Sequence, residues 1–133
     1  MKLHTSPRAP NPRRVDMFIA EKGIEGIARA LVDLNAGEHR SAAFTARNPL
    51  ARVPVLELDD GSRFTEVAVL LQIIADRKPG ALAPEVATIE RYRLNEWLNF
   101  VATEIHKGYG TLWHPEVGEA AVAAALRPWL GAR

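Results

Sequence analysis

Cysteine is missing from all 133 residues. Disulfides, thiolate metal sites and a cysteine nucleophile are therefore excluded for this sequence. Long hydrophobic runs are missing too. The longest, Val67 to Ala75, is interrupted by Gln72 and falls far short of the ~20 apolar residues that span a bilayer. The opening residues, Met1 to Arg8, turn polar at once and offer no apolar leader core. Neither sign of charge is in excess: a formal net charge of +1 creates no field that would favour nucleic acid or an anionic membrane as partner. Internal repeats, low-complexity tracts and charge blocks are also absent. These absences lead to the expectation of a cytoplasmic protein with no nucleic-acid, membrane or metal partner.

What is present is the composition of a folded protein, 47% hydrophobic and 25% charged. The length fits one domain, or one compact domain with a partial second. The chain is organised around Asn48 to Glu66. Val53, Val55, Leu56 and Leu58 form an apolar run, Asp60-Gly61 is a hairpin signal, and Phe64 continues the return strand. Pro54 falls where the strand should begin, a position that tolerates a missing ladder N–H. A cis bond there would turn the main chain of Val53 towards an extended, peptide-like ligand.

In chain order, Lys2 to Ser6 reads as a first strand and Ser6 to Pro12 as a proline-punctuated turn. Pro12 suits the first helical position with Asn11 as its N-cap. Val15, Phe18 and Ile19 form a helical stripe that Lys22-Gly23 closes. Ile27 to Leu34 is expected as a second strand and Ser41 to Ala46 as a short helix; Thr65 is expected to cap a third helix from Val67. The order β-α-β-α-β-β-α is that of a thioredoxin-type α/β sandwich. We expect this unit over 1–77, a proline-rich linker over 78–85 and a partial all-α unit over 86–133. The last comprises a long helix from Glu85 to about Gly108, with Leu94, Trp97, Leu98, Val101 and Ile105 on one face, and a short one over Glu119 to Leu130. A second face carries Glu96, Asn99, Thr103 and His106.

Four segments carry a family resemblance: Met1 to Pro7, Asn48 to Gly61 with its Val-Pro, Phe64-Thr65-Glu66 before an apolar helix, and Glu90 to Tyr109. In these the chain resembles the cytosolic glutathione transferases, specifically the bacterial branch that includes the beta class. The resemblance implies glutathione as co-substrate, thiolate attack on a small electrophile, and a homodimer. It implies that Val53, next to cis-Pro54, holds the cysteinyl main chain and that Glu66 and Val67 lie at the γ-glutamyl end. His106 would act in catalysis and Lys107 in glutathione binding, while Asn99 and Thr103 would reach the partner subunit's glutathione. Physically, helix N-termini near Asn11 and Glu66 suit a thiolate and a carboxylate.

The sequence departs from that pattern where the family carries its thiol-activating Tyr, Ser or Cys, because those positions fall near Ala9, Pro10 or Asn11. The remaining donors are the Asn11 amide and the hydroxyls of Ser6 and Thr5, and Asn11 is the preferred one. Val67 replaces the family's usual Ser or Gly, so weaker glutathione binding is expected. The family's helical domain is longer than 86–133 can supply. The face around Trp97, Leu98 and Val101 should then be under-covered. The competing reading is a non-catalytic glutathione-binding or interaction module of the same fold. A thioredoxin-like reductase is disfavoured by the missing cysteine.

Overall fold

The fully buried Leu3 and Leu56, paired across two neighbouring strands, sit at the centre of one four-stranded sheet. β1 (Lys2–Thr5), β2 (Ala28–Leu31), β3 (Val55–Glu57) and β4 (Arg63–Phe64) lie in the order β2-β1-β3-β4. β1 and β2 are parallel, which requires a crossover, and α1 (Pro10–Lys22) provides it. β3 pairs antiparallel with both β1 and β4, through a turn in which Gly61 has φ 85° and Asp60 Oδ1 accepts the Ser62 N–H at 2.8 Å. The remaining helices are α2 (Ala42–Thr45), α3 (Val67–Asp76) and α4 (Ile89–Phe100). This computed structural model describes residues 1–78, 80, 82–110 and 124. It divides the chain into two compact units, Met1–Arg91 and Tyr92–Arg133.

Strand alternation separates two apolar clusters in the first unit. Leu3 and Leu56 face Val15 and Ile19 of α1 and Leu70 and Ile74 of α3, with Ile27 at the margin. On the other face Val55 packs with Val32 and Phe44, and the Phe44 ring meets His4 edge-on. Leu3, Leu56, Leu70 and Ile74 are fully buried, each burial contributing about 1.5–3 kcal/mol before entropy is counted.

Several element boundaries differ from the sequence expectations, each for a local reason. α1 starts at Pro10, with Ala9 as an N-cap that makes no side-chain bond. Asn11 is therefore inside the helix and not its cap, because Pro10 already has the φ and the missing N–H that the first position favours. β2 ends at Leu31, not Leu34. The Asp33 carboxylate accepts the N–H groups of Asn35 and Ala36 at 2.9 and 3.1 Å and turns the chain away. Glu66, not Thr65, occupies the N-cap of α3. α4 begins at Ile89, later than Glu85, where the Thr88 hydroxyl accepts the Arg91 N–H at 3.2 Å. The helix then loosens into a π-helical segment, Val101–His106. Gly23 closes α1 in the left-handed conformation with φ 60°, and Ser41 caps α2. Of the expected helix over 119–130, all but residue 124 lies outside the described residues.

The first unit extends to Arg91, past the stretch read as a linker. The Arg91 side chain is buried and donates to Asp76 Oδ1 at 2.7 Å and to the Pro84 carbonyl at 2.8 Å. The first turn of α4 is thereby tied to the end of α3.

Candidate functional site

The strand registers bring the functional candidates of the first unit to one end of the sheet. β1 leaves the sheet at Thr5; β3 enters it at Val55, which pairs with His4. Continuing that register places Pro54 beside Thr5 and Val53 beside Ser6. β4 pairs Phe64 with Leu56, so Thr65 and Glu66 continue towards the same end. The turn after β1, closed by the Ala9 N–H on the Ser6 carbonyl at 2.9 Å, leads directly into α1. Ser6, Asn11, Val53, Pro54, Glu66 and Val67 are therefore gathered at this end by three strand ends and two helix starts.

The loop that delivers Val53 is held from below. Asn48 is buried; its Nδ2 donates to the Arg52 carbonyl at 2.8 Å and its Oδ1 accepts the Leu50 N–H at 3.1 Å. Ala51 follows with φ 53°, and the Val53–Pro54 peptide bond is cis. Val53 is half-buried against Val32, Phe44 and Val55. Glu66 has φ 65° and ψ 116°, a conformation that costs a non-glycine residue on the order of 1–3 kcal/mol. Its side chain is exposed and makes no cap hydrogen bond. A plain helix-capping role for the carboxylate therefore has no bond to support it.

The thiol-activating candidates fare differently. The Thr5 hydroxyl donates to Asp16 Oδ2 at 3.0 Å from a residue only 1% exposed, so its proton is committed inside the unit. Ser6 is buried at 8% exposure. Asn11 is half-buried in the first turn of α1, and its Oδ1 accepts a hydrogen bond from Arg14. Arginine only donates, so this contact assigns the oxygen to Arg14 and turns the amide nitrogen the other way. Pro10 and Pro12 carry no N–H. Among the first three helical residues of α1, only Asn11 therefore has a main-chain donor.

Asn99, Thr103, His106 and Lys107 belong to the second unit. Asn99 Nδ2 donates to the Asn95 carbonyl at 2.9 Å and the Thr103 hydroxyl to the Asn99 carbonyl at 3.1 Å, which lines them along one helical face. His106 and Lys107 are exposed at the end of the π-helical segment.

One polar group beside the site had no sequence signal. His4 is buried, and desolvation lowers its pKa below the ordinary 6.5 against the opposing attraction of Glu57, whose Oε2 lies 3.6 Å from Nε2. The same Oε2 accepts Arg63 Nε at 3.1 Å, and that hydrogen bond is the main reason the Glu57 carboxyl titrates below its usual range. Sequence reasoning also missed Asp16, Arg29 and Arg91. Their partners lie across the fold, and periodicity carries no information about such pairs. Among the described residues no cluster of three or more His, Asp or Glu could hold a metal ion, and no helix is long and apolar enough to cross a membrane.

A mixed sheet in the order β2-β1-β3-β4, helices on both faces and a cis-proline at the entry of β3 define a thioredoxin-like α/β unit. Comparison with known proteins takes the assignment further. The family model for the glutathione S-transferase N-terminal domain matches residues 9–77, just over half of the chain. Glutathione S-transferase GstA of Escherichia coli O157:H7 is 46% identical over 78 residues, 57% of this chain and 38% of that protein. A beta-class glutathione S-transferase of Sphingomonas chungbukensis is 36% identical, with a TM-score of 0.81 over 99% of this chain and 67% of that one. A sphingomonad glutathione S-transferase solved with glutathione bound is 34% identical, with a TM-score of 0.82 over 99% of this chain and 67% of that one. The chain belongs to the glutathione S-transferase family, in its bacterial branch. The GstA match extends over 38% of that relative's length and the maleylacetoacetate isomerase match of Pseudomonas aeruginosa over 57%.

Proposed function

We propose that the chain binds glutathione at this end of the sheet and promotes attack of its thiolate on small electrophiles. The observation that carries the reading is the convergence of Val53, Asn11 and Glu66, delivered by the ends of β3, β1 and β4. In this arrangement the cysteinyl main chain of glutathione pairs with the main chain of Val53, beside Pro54. Its γ-glutamyl end lies at Glu66 and at the Val67 N–H, where the carboxylate of Glu66 faces the glutamyl ammonium and the start of α3 favours the glutamyl carboxylate. Asn11 faces the sulfur with its main-chain N–H and its side-chain amide, and Ser6 lines the turn. Stabilising the thiolate form is what makes the thiol a nucleophile; orientation supplies the rest, with no covalent enzyme intermediate. His106 and Lys107 supply cationic or hydrogen-bonding contacts to the anionic tripeptide. Asn99 and Thr103 serve the partner site in a homodimer acting in the cytoplasm.

Calorimetric titration with glutathione, followed by steady-state assays on a panel of small aromatic and aliphatic electrophiles, tests this reading. Heat of binding and turnover are expected. The absence of any heat at millimolar glutathione would remove the proposal.

The second reading, a glutathione-binding module without turnover, draws on the committed Thr5 hydroxyl and the buried Ser6, which leave Asn11 as the thiol donor of the first unit. Retention on a glutathione matrix with no turnover on the whole panel selects it.

A further inference from the structure

Asp16 sits on the second turn of α1 and spends its two carboxylate oxygens on two strands. Oδ2 accepts the Thr5 hydroxyl at 3.0 Å, at the last residue of β1, and Oδ1 accepts Arg29 Nε at 2.6 Å, on β2. Arg29 is itself anchored, with Nη1 donating to the Ile27 carbonyl at 2.6 Å. Elsewhere α1 is held to the sheet through apolar side chains, Val15 and Ile19 among Leu3, Ile27 and Leu56. Apolar contact is non-directional, so it resists separation of helix and sheet far better than a roll of the helix about its axis. Hydrogen bonds have angular preferences and resist the roll.

The roll matters because of the two prolines. A helix with a full first turn presents several N–H groups around its rim, so that more than one can serve a ligand at the helix start. Here Pro10 and Pro12 leave Asn11 as the one main-chain donor among the first three residues. Its aim is then set by the rotation of α1 alone.

We propose that Asp16 is a positioning residue: its bridge between Thr5 and Arg29 fixes the roll of α1 and thereby aims Asn11 at the glutathione sulfur. The assignment rests on the glutathione-binding reading and adds to it a residue that touches neither glutathione nor the electrophile.

The test is the pH at which the thiol of bound glutathione ionises, followed by thiolate ultraviolet absorbance in the wild type, Asp16→Ala, Asp16→Asn and Thr5→Val. Asp16→Asn keeps an acceptor for Thr5 at nearly the same volume, so it remains informative if Asp16→Ala fails to fold. We expect the alanine variant to hold roughly three- to tenfold less thiolate at a given pH than the wild type. Its kcat should fall in step while the Kd for glutathione stays within about twofold. Asn should restore part of the shift, and Thr5→Val should reproduce part of the loss. Variants that bind glutathione and ionise it at the wild-type pH would overturn the assignment while leaving glutathione binding intact. A wild-type thiol that titrates as it does in free solution would overturn thiolate stabilisation itself, and the role of Asp16 with it.

Discussion

The two compact units treat their apolar residues differently. In Met1–Arg91, Leu3, Leu56, Leu70 and Ile74 are fully buried between sheet and helices, and polar anchors such as Asn48 and Arg91 are buried and hydrogen-bonded. In the described part of the second unit, Trp97 is 63% exposed and Tyr92, Ile105 and Tyr109 are also open, although Trp97 lies on the apolar stripe of α4 and Ile105 continues it in the π-helical segment. The Trp97 ring instead meets Phe100 edge-on at 5.7 Å. Helical spacing reveals which face of an element is apolar, but burial requires a second surface. The first unit supplies that surface from within, by folding α1 and α3 onto one sheet. The exposed stripe on α4 is consistent with the proposed homodimer, and sedimentation of the chain at micromolar concentration checks it: a well-folded monomer would contradict that proposal.

The contrast can be broken or sharpened by substitution. The largest effect is expected for Leu56→Ala, which opens a cavity in the sheet–helix core and should cost about 2–5 kcal/mol in chemical denaturation. Arg91→Ala comes next. It removes two charge-assisted bonds that hold the first turn of α4, and we expect a loss of about 1–3 kcal/mol together with faster proteolysis between residues 78 and 88. Glu66→Gly should separate stability from binding. Relief of the positive φ is expected to leave stability unchanged or raise it by about 1 kcal/mol, while glutathione affinity by calorimetry falls roughly tenfold.

A smaller, pH-dependent effect belongs to His4. Burial holds the pKa of its imidazole below the ordinary value in the folded protein, whereas the unfolded chain takes up a proton near 6.5. Stability should therefore decline as pH falls through 6.5. His4→Phe, which keeps the packing against Phe44, should flatten that part of the profile. Glu57 works in a lower window: its folded carboxyl titrates below the ordinary 4.5, so its contribution is present above that pH and is lost only as acid takes the pH below it. The smallest effect is expected for Trp97→Ala, within about 0.5 kcal/mol in the monomeric chain. A loss several times larger would show that the exposed stripe has cover in solution.

Much of the fold could be read from local signals. The Asp60-Gly61 turn, the Gly23 cap and the strand entry at Pro54 each rest on a backbone preference of one or two residues, and each stands where those preferences put it. The candidate site was partly legible for the same reason: Val53, Pro54, Glu66 and Val67, whose roles remain proposals, occupy element boundaries, and boundaries carry sequence signals. The start of α1 was misread by two residues because Pro10 and Pro12 both suit a first turn, and spacing alone does not choose between them.

The sequence by itself determined the alternation of strands and helices, the polar and apolar faces of each, and the absence of any thiol chemistry on the protein's own side chains. It did so because turn, cap and periodicity preferences act over a few neighbouring residues. Only the tertiary structure decided that Thr5 is held by Asp16 from eleven residues away, that Arg91 closes on Asp76 and that His4 is stripped of water beside Glu57. Those pairings depend on strand register and helix packing, which place in contact residues that no local rule connects.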